Sequence, residues 1–200
     1  MCPVCHKPMV VFEIEGIEID GTGLTDSTNT RGILVLKGMS TVGDIRIDSC
    51  IIHDLATNSG AVTWEGSFGI MDIQEAADKG PPMLITNNII YNISNNINSG
   101  HTGGIVVGSR TTSYAYNNTI YNIHNEGPSD GGAAWGIYAK AWPSGTGNAT
   151  VIAKNNYVGD VTAPYDSVHD CFDARDNGIL TQSYNVSSDS TAAGTGSHTL

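Results

Sequence analysis

Hydrophobic and polar residues alternate along two short runs that return repeatedly between Phe12 and the C-terminus. The first run opens on a glycine. It reads Gly32-Ile33-Leu34-Val35, Gly69-Ile70-Met71-Asp72, Gly104-Ile105-Val106-Val107 and Gly136-Ile137-Tyr138-Ala139, and Cys171-Phe172-Asp173-Ala174 is a copy that has lost the glycine. The second run reads Asp48-Ser49-Cys50-Ile51-Ile52-His53-Asp54-Leu55, then Thr86-Asn87-Asn88-Ile89-Ile90-Tyr91-Asn92-Ile93. It returns as Tyr116-Asn117-Asn118-Thr119-Ile120-Tyr121-Asn122-Ile123 and Lys154-Asn155-Asn156-Tyr157-Val158-Gly159-Asp160-Val161. Phe12–Asp20 looks like an earlier copy and Gln182-Ser183-Tyr184-Asn185-Val186 like a worn last one. A period of two places successive side chains on opposite faces of a strand, whereas a helix needs a period of 3.6. Both runs are therefore expected as strictly alternating strands, with the glycine as a turn leading into the first.

One coil of three short strands cannot bury its own inner face. Stacking such coils about 4.8 Å apart gives continuous ladders, each residue resting on its counterpart in the next coil. The expectation is an all-β protein, a right-handed parallel β-helix (solenoid) of about five to six coils. It should span residues 12–200 after a disordered or misplaced leader, 1–11. Ile33, Ile70, Ile105, Ile137 and Phe172 should form one inner ladder; Asp72 would then fall inside too, which suggests a bulge or a wrong register there. Outward positions should then be Leu34 and Leu36, Met71 and Ile73, Val106 and Gly108, Tyr138 and Lys140, and Asp173 and Arg175. Asn87, Asn117 and Asn155 suit turns, because asparagine tolerates a left-handed backbone and its amide can bond the next coil. Glu13 begins in mid-pattern and Leu200 follows no closing element, so both ends read as cut, a fragment without caps.

Composition narrows the function. A net charge of -11 argues against binding a nucleic-acid backbone. It fits an acidic extracellular surface, or one that recruits Ca²⁺ through carboxylates. No apolar run approaches the roughly 20 residues of a membrane span. The opening residues Met1–Pro8 do not read as a signal peptide. Cys2, Cys5 and His6 make only half of a zinc knuckle and read as part of the leader. Cys50 and Cys171 fall in strand-like runs where a thiol acts as a small apolar residue, and a pairing between them stays open.

The paired Asn-Asn-x-Ile-Tyr-Asn-Ile copies, the Gly-Ile strands and the closing Ser183-Tyr184-Asn185-Val186-Ser187-Ser188-Asp189 resemble right-handed β-helix proteins of the pectate-lyase-like superfamily. That superfamily holds polysaccharide lyases, glycoside hydrolases, esterases, phage tailspikes and non-catalytic adhesins, so the resemblance speaks to fold more than to activity. It implies a secreted or cell-surface protein that binds, and in the enzyme reading cleaves, an acidic polysaccharide. The alternatives are a structural or adhesive repeat module and a trimeric tailspike segment. The apolar outward positions of the early coils offer a face for an oligomer, a loop or missing chain.

The polar end of the glycine-led strands carries the candidate chemistry. Lys140 should stack near Arg175, with Asp170, Asp173 and Asp176 around them. In lyases of this resemblance a Ca²⁺ or a basic group neutralises the uronate carboxylate, and a Lys or Arg takes the neighbouring proton. Lys140, Arg175 and Asp173 are thus the candidate catalytic residues and Asp170 and Asp176 the candidate Ca²⁺ ligands. Tyr138, Trp135, Trp142 and His169 are the candidate substrate contacts, since indole faces stack on sugar rings. An ordinary salt-bridge patch is the competing reading of the charges, and a lid over the apolar face that of the tryptophans. His53, His101 and His124 read as hydrogen-bonded turn or loop residues. The longest inter-strand segments, Asn58–Ser67, Ala76–Pro82, Glu126–Ala134 and Ala141–Asn148, hold or adjoin Trp64, Trp135 and Trp142.

Overall fold

In the computed structural model, residues 12–24, 29–37, 43–59, 66–74, 81–97, 100–108, 110, 112–127, 132–140, 147–164 and 168–200 are described. The leader 1–11, Trp64 and Trp142 lie outside them. Every described strand pairs in parallel with its counterpart one coil away, and three sheets result. The first contains β1 (Phe12–Glu15), β4 (Ile45–Asp48), β7 (Met83–Thr86), β10 (Thr112–Tyr116), β13 (Ala149–Lys154) and β16 (Gly178–Ser183). The second contains β2 (Glu18–Asp20), β5 (Ile51–Thr57), β8 (Ile89–Asn95), β11 (Thr119–Asn125), β14 (Tyr157–Thr162), β17 (Val186–Ser187) and β18 (His198–Thr199). The third contains β3 (Thr30–Lys37), β6 (Gly66–Gln74), β9 (His101–Val107), β12 (Ala133–Lys140) and β15 (His169–Arg175). The chain visits the three sheets in rotation, which defines a parallel β-solenoid. The five strands of the third sheet are separated by four turns, slightly fewer than the five to six coils expected.

The inner ladder follows the expected register. Ile33 pairs with Ile70, Ile70 with Ile105, Ile105 with Ile137 and Ile137 with Phe172, and all five are buried. Ile52, Ile90, Ile120 and Val158 of the second sheet and Ile47, Ile85, Ala115 and Ala153 of the first complete the core. Each fully buried isoleucine contributes about 1.5–3 kcal/mol. Asp72 keeps the register, between Val35 and Val107, and is fully buried.

Strict alternation does not survive in either run. The glycines are not turn residues: Gly69, Gly104 and Gly136 sit inside β6, β9 and β12. A Cβ added at Gly32, Gly69 or Gly104 would lie 2.5 Å from Cγ2 of Ile52, Ile90 or Ile120 respectively. The isoleucine near the start of β5, β8 and β11 therefore packs on bare backbone of the third sheet. The copy without glycine fits this account. Ser187 takes the register place of Val158 one coil on, which leaves room for the Cys171 side chain. In the second sheet the bend falls at Asp54, Asn92, Asn122 and Asp160, all left-handed with φ of 53–57°. Pairing skips these residues, so Ile120 and Ile123 both face inward.

Adjacent asparagines divide the turn between the first and second sheets. Asn87, Asn117 and Asn155 take φ of 56–57° and line up outside, Asn117 Nδ2 donating to Asn87 Oδ1 at 3.4 Å. The second of each pair points inward. Asn88 donates to Asn118 Oδ1, Asn118 to Asn156 Oδ1 and Asn156 to Asn185 Oδ1, each from Nδ2 at 3.0 Å. The same Nδ2 atoms also reach the carbonyls of Ile47, Ile85 and Ala115. Cys50 holds this place in the preceding coil, its N–H donating to Asn88 Oδ1 at 3.0 Å. Both Cys50 and Cys171 are free buried thiols. Beyond β15, Asp189 Oδ2 accepts the Cys171 N–H at 2.7 Å and Thr191 Oγ1 accepts that of Phe172 at 3.0 Å. Side chains thus bond the edge of the last third-sheet strand.

Candidate functional site

The outer face of the third sheet is built by the bend. Counting outward through each glycine, Arg31 pairs with Phe68, Phe68 with Gly103 and Gly103 with Trp135. Leu34, Met71, Val106, Tyr138 and Asp173 form the next column, and Lys140 pairs with Arg175. Leu36 is 56% exposed, whereas Trp135 and Tyr138 are only 5% and 3% exposed. Their rings stack in parallel with centroids 4.1 Å apart, within a cluster that includes Phe68, Val106 and Ala133. Beside them opens a cleft of about 140 Å³ lined by Arg31, Phe68, His101, Trp135, Tyr138 and Lys140, among others. Its apolar walls and few convergent polar groups are those of small-molecule sites, but it is smaller than their roughly 300–1,000 Å³. The Trp135 Nε1 atom is buried with no hydrogen-bond partner.

This cleft unites three residues singled out from sequence, Lys140, Tyr138 and Trp135. The others extend beyond it along β15. Arg175 Nε donates to Asp173 Oδ2 at 2.6 Å, and Lys140 Nζ lies 2.8 Å from Asp176 Oδ2. The hydrogen bond from Lys140 holds the Asp176 carboxyl below its ordinary range. Arg175 also approaches Asp170 Oδ2 at 3.6 Å, and burial, followed by the Asp173 charge, raises the Asp170 carboxyl. Asp170 lies in β15 and Asp176 follows its end, and among the described residues they and Asp173 do not form a set whose ligand atoms gather within 4.8 Å. His169 opens β15 as an exposed residue in register with Ala134. Arg31, Phe68 and His101 were missed from the sequence. Arg31 and Phe68 each precede a glycine and were hidden because the run was taken to begin there, whereas His101, three residues before Gly104, was read as part of a turn.

The histidines read as turn residues occupy strands: His53 in β5, His101 in β9 and His124 in β11. His53 stacks on Tyr91 at 4.9 Å and Tyr91 on Tyr121 at 5.1 Å, close to the strand spacing. His53 Nδ1 bonds Asp54 Oδ2, and Nε2 lies 3.1 Å from Glu18 Oε1. The hydrogen bond to Asp54 raises the imidazole above 6.5 against an opposing desolvation, with Glu18 adding to the rise. Its counterpart Asp54 is held low by the same bond. One ligand atom each from Asp20, His53 and Asp54 lie within 4.8 Å of one another, a set that could hold a divalent cation.

His101 behaves in the opposite way. Its Nδ1 accepts the Ala133 N–H at 3.2 Å, which favours the neutral ring. Burial, with a smaller push from Lys140, lowers its pKa to about 4. The two histidines tilt stability in opposite directions. The His53 contribution is fully present below the unfolded value near 6.5 and is lost as pH rises through the raised folded value. His101 penalises the fold as pH falls from 6.5 through about 4, a span worth about 3 kcal/mol. The melting temperature should therefore fall on both sides of its maximum. His101→Asn, whose Oδ1 can still accept from Ala133, should flatten the acid limb, and His53→Gln the limb above 6.5. Unchanged limbs in melts across this pH range would contradict the assignment.

No protein-family model, no curated protein and no solved structure matches the chain.

Proposed function

We propose that the protein is an extracellular polysaccharide-binding β-helix, related by architecture to the pectate-lyase-like superfamily. The observation that carries this reading is the third-sheet cleft, where the stacked Trp135 and Tyr138 rings meet Arg31 and Lys140. Rings give an apolar wall for the sugar and cations give hydrogen-bond donors at its ends. The solenoid repeats its strand path from coil to coil, which suits a polymer made of repeating units.

In the lyase version of this reading, Lys140 removes the proton beside a uronate carboxylate and the glycosidic oxygen leaves as a carbon–carbon double bond forms. Arg175, or a Ca²⁺, would neutralise that carboxylate. The ion pairs favour binding without cleavage, because Asp176 occupies Lys140 and Asp173 occupies Arg175. An acidic sugar would have to displace both carboxylates before either cation could act.

A panel of acidic, neutral and amine-bearing polysaccharides, with Ca²⁺ and with a chelator, tests the proposal. Retention on at least one polysaccharide is expected, weakened about tenfold by Lys140→Ala, the loss of one charge-assisted contact. Ultraviolet absorbance from an unsaturated product, abolished in Lys140→Ala, would establish the lyase version instead. Retention on none of them would overturn the reading.

A further inference from the structure

The third-sheet cleft, at about 140 Å³, is too small for a run of sugars. A cavity of about 150 Å³ lined by Leu, Ile and Phe takes up benzene, so this one has room for a single six-membered ring. Its apolar walls are Phe68, Met71, Ile73, Val106, Trp135 and Tyr138. A pyranose carries a hydroxyl on nearly every carbon, and such walls offer those hydroxyls no partner. An aromatic ring has none to satisfy. It can also extend the stack of Trp135 and Tyr138, whose rings lie within 1° of parallel.

The polar groups of the cleft select among aromatic ligands. Trp135 Nε1 is a buried donor without a partner, so the ligand should bring an acceptor. That acceptor should be uncharged. Asp72, fully buried, already brings one carboxyl group to the lining, and a second acid beside it is unfavourable. The cations have other engagements: Lys140 pairs with Asp176 at 2.8 Å, and Arg31 Nε donates to Met71 Sδ at 3.3 Å while its guanidinium lies 6.0 Å from the centre of the Phe68 ring. His101, its pKa lowered to about 4 by burial, carries no charge at neutral pH. The carbonyl of an ester meets these demands, since it accepts a hydrogen bond and needs no counter-charge.

We infer that the cleft seats the ring of a benzoyl-type ester carried by the polysaccharide, with the ester carbonyl accepting from Trp135 Nε1. The inference rests on the polysaccharide reading and narrows it, because the aromatic substituent enters the cleft and the sugar that bears it stays outside. There β12 and β15 set Lys140 beside Arg175, with Asp173 and Asp176 paired to them, a polar strip suited to sugar hydroxyls. The substituent, more than the sugar, then decides which polymer is held.

The test is calorimetric titration of the intact chain with acidic, neutral and amine-bearing oligosaccharides, each plain and carrying one benzoyl ester, and with methyl benzoate alone. At least one benzoylated oligosaccharide is expected to bind at least about tenfold more tightly than its plain form. Trp135→Phe keeps a ring and removes the donor, so it should weaken the benzoylated form about fivefold more than the plain one while the circular dichroism is preserved. Val106→Phe, which fills the cleft, should abolish the gain from benzoylation; if that variant does not fold, the Trp135→Phe ratio decides alone. Equal affinity for plain and benzoylated forms, or a gain that survives these substitutions, overturns the inference, and the polysaccharide reading stands wherever a plain form binds. If methyl benzoate binds as tightly as the benzoylated oligosaccharides and no plain form binds, the polymer is not the ligand and both readings fall. They fall together also if nothing binds.

Discussion

Asn118→Leu is expected to lower the folding free energy by about 3–6 kcal/mol, against the 5–15 kcal/mol that a domain typically has. The Asn118 side chain accepts from the backbone N–H of Asn88 at 3.1 Å and from Asn88 Nδ2 at 3.0 Å. It donates to the Ile85 carbonyl and to Asn156 Oδ1, both at 3.0 Å. Leucine keeps the branching but is bulkier, and it leaves the Asn88 N–H and the Ile85 carbonyl buried without this partner, each at a cost of about 1–3 kcal/mol. Asn156 Oδ1 keeps the Asn118 backbone N–H, so the damage centres on the earlier coil. Asn117→Leu is the contrast. That side chain is exposed and its backbone has φ 57°, so the cost should be the roughly 1–2 kcal/mol of a left-handed non-glycine residue. Urea titration of the two variants reads the difference directly. Similar midpoints for both would mean that the buried amide column does not hold the coils together.

The second large effect is expected at Gly104→Ala, usually a mild change. A Cβ there would meet Ile120 Cγ2 at 2.5 Å and the Gly136 carbonyl oxygen at 2.7 Å. The isoleucine could turn away only into a filled core, and the oxygen belongs to the adjacent strand. Overpacking of this kind costs about 1–3 kcal/mol and more when backbone must move. At roughly 2–4 °C per kcal/mol for a chain of this size, the melting temperature should drop by about 5–10 °C. Combining Gly104→Ala with Ile120→Ala should recover part of the loss, since alanine has no γ carbon to meet the new Cβ. A double variant no better than the sum of the two single ones would place the strain in the backbone contact alone.

The coil register was legible because the ladder uses the same residue type at the same place in each copy: Ile33, Ile70, Ile105 and Ile137 stack as their spacing suggested. The outer columns through Leu34 and Tyr138 followed from it. The bends were not legible. Gly104 looks identical as a turn residue and as a core residue with no room for a Cβ, and only the neighbouring sheet tells them apart. Asn87 was legible as a left-handed turn residue bonded to the next coil, but nothing in the sequence marked its neighbour Asn88 as a buried rung of the amide column. For the candidate site, the Lys140–Arg175 stacking could be read off the repeat. That Arg31 and His101 share a cleft with Trp135 could not, because the bend at each glycine shifts the outward positions before it.

The buried amide column also bears on how the chain finds its order while folding. Asn88, Asn118 and Asn156 are equivalent rungs, and the isoleucines beside two of them, Ile90 and Ile120, are identical. A strand that skipped a coil would find nearly the same bonds and the same hydrophobic partners, so mispairing by one whole coil is cheap along this column. The positions that depart from the repeat remove the degeneracy. Asp54 can only accept, so it fits the beginning of the outer amide row and no interior rung. His53 needs Glu18 and Asp20 behind it, and Cys50 makes no amide bond to a preceding coil. These irregular residues act as addresses that tell otherwise interchangeable coils where in the stack they belong.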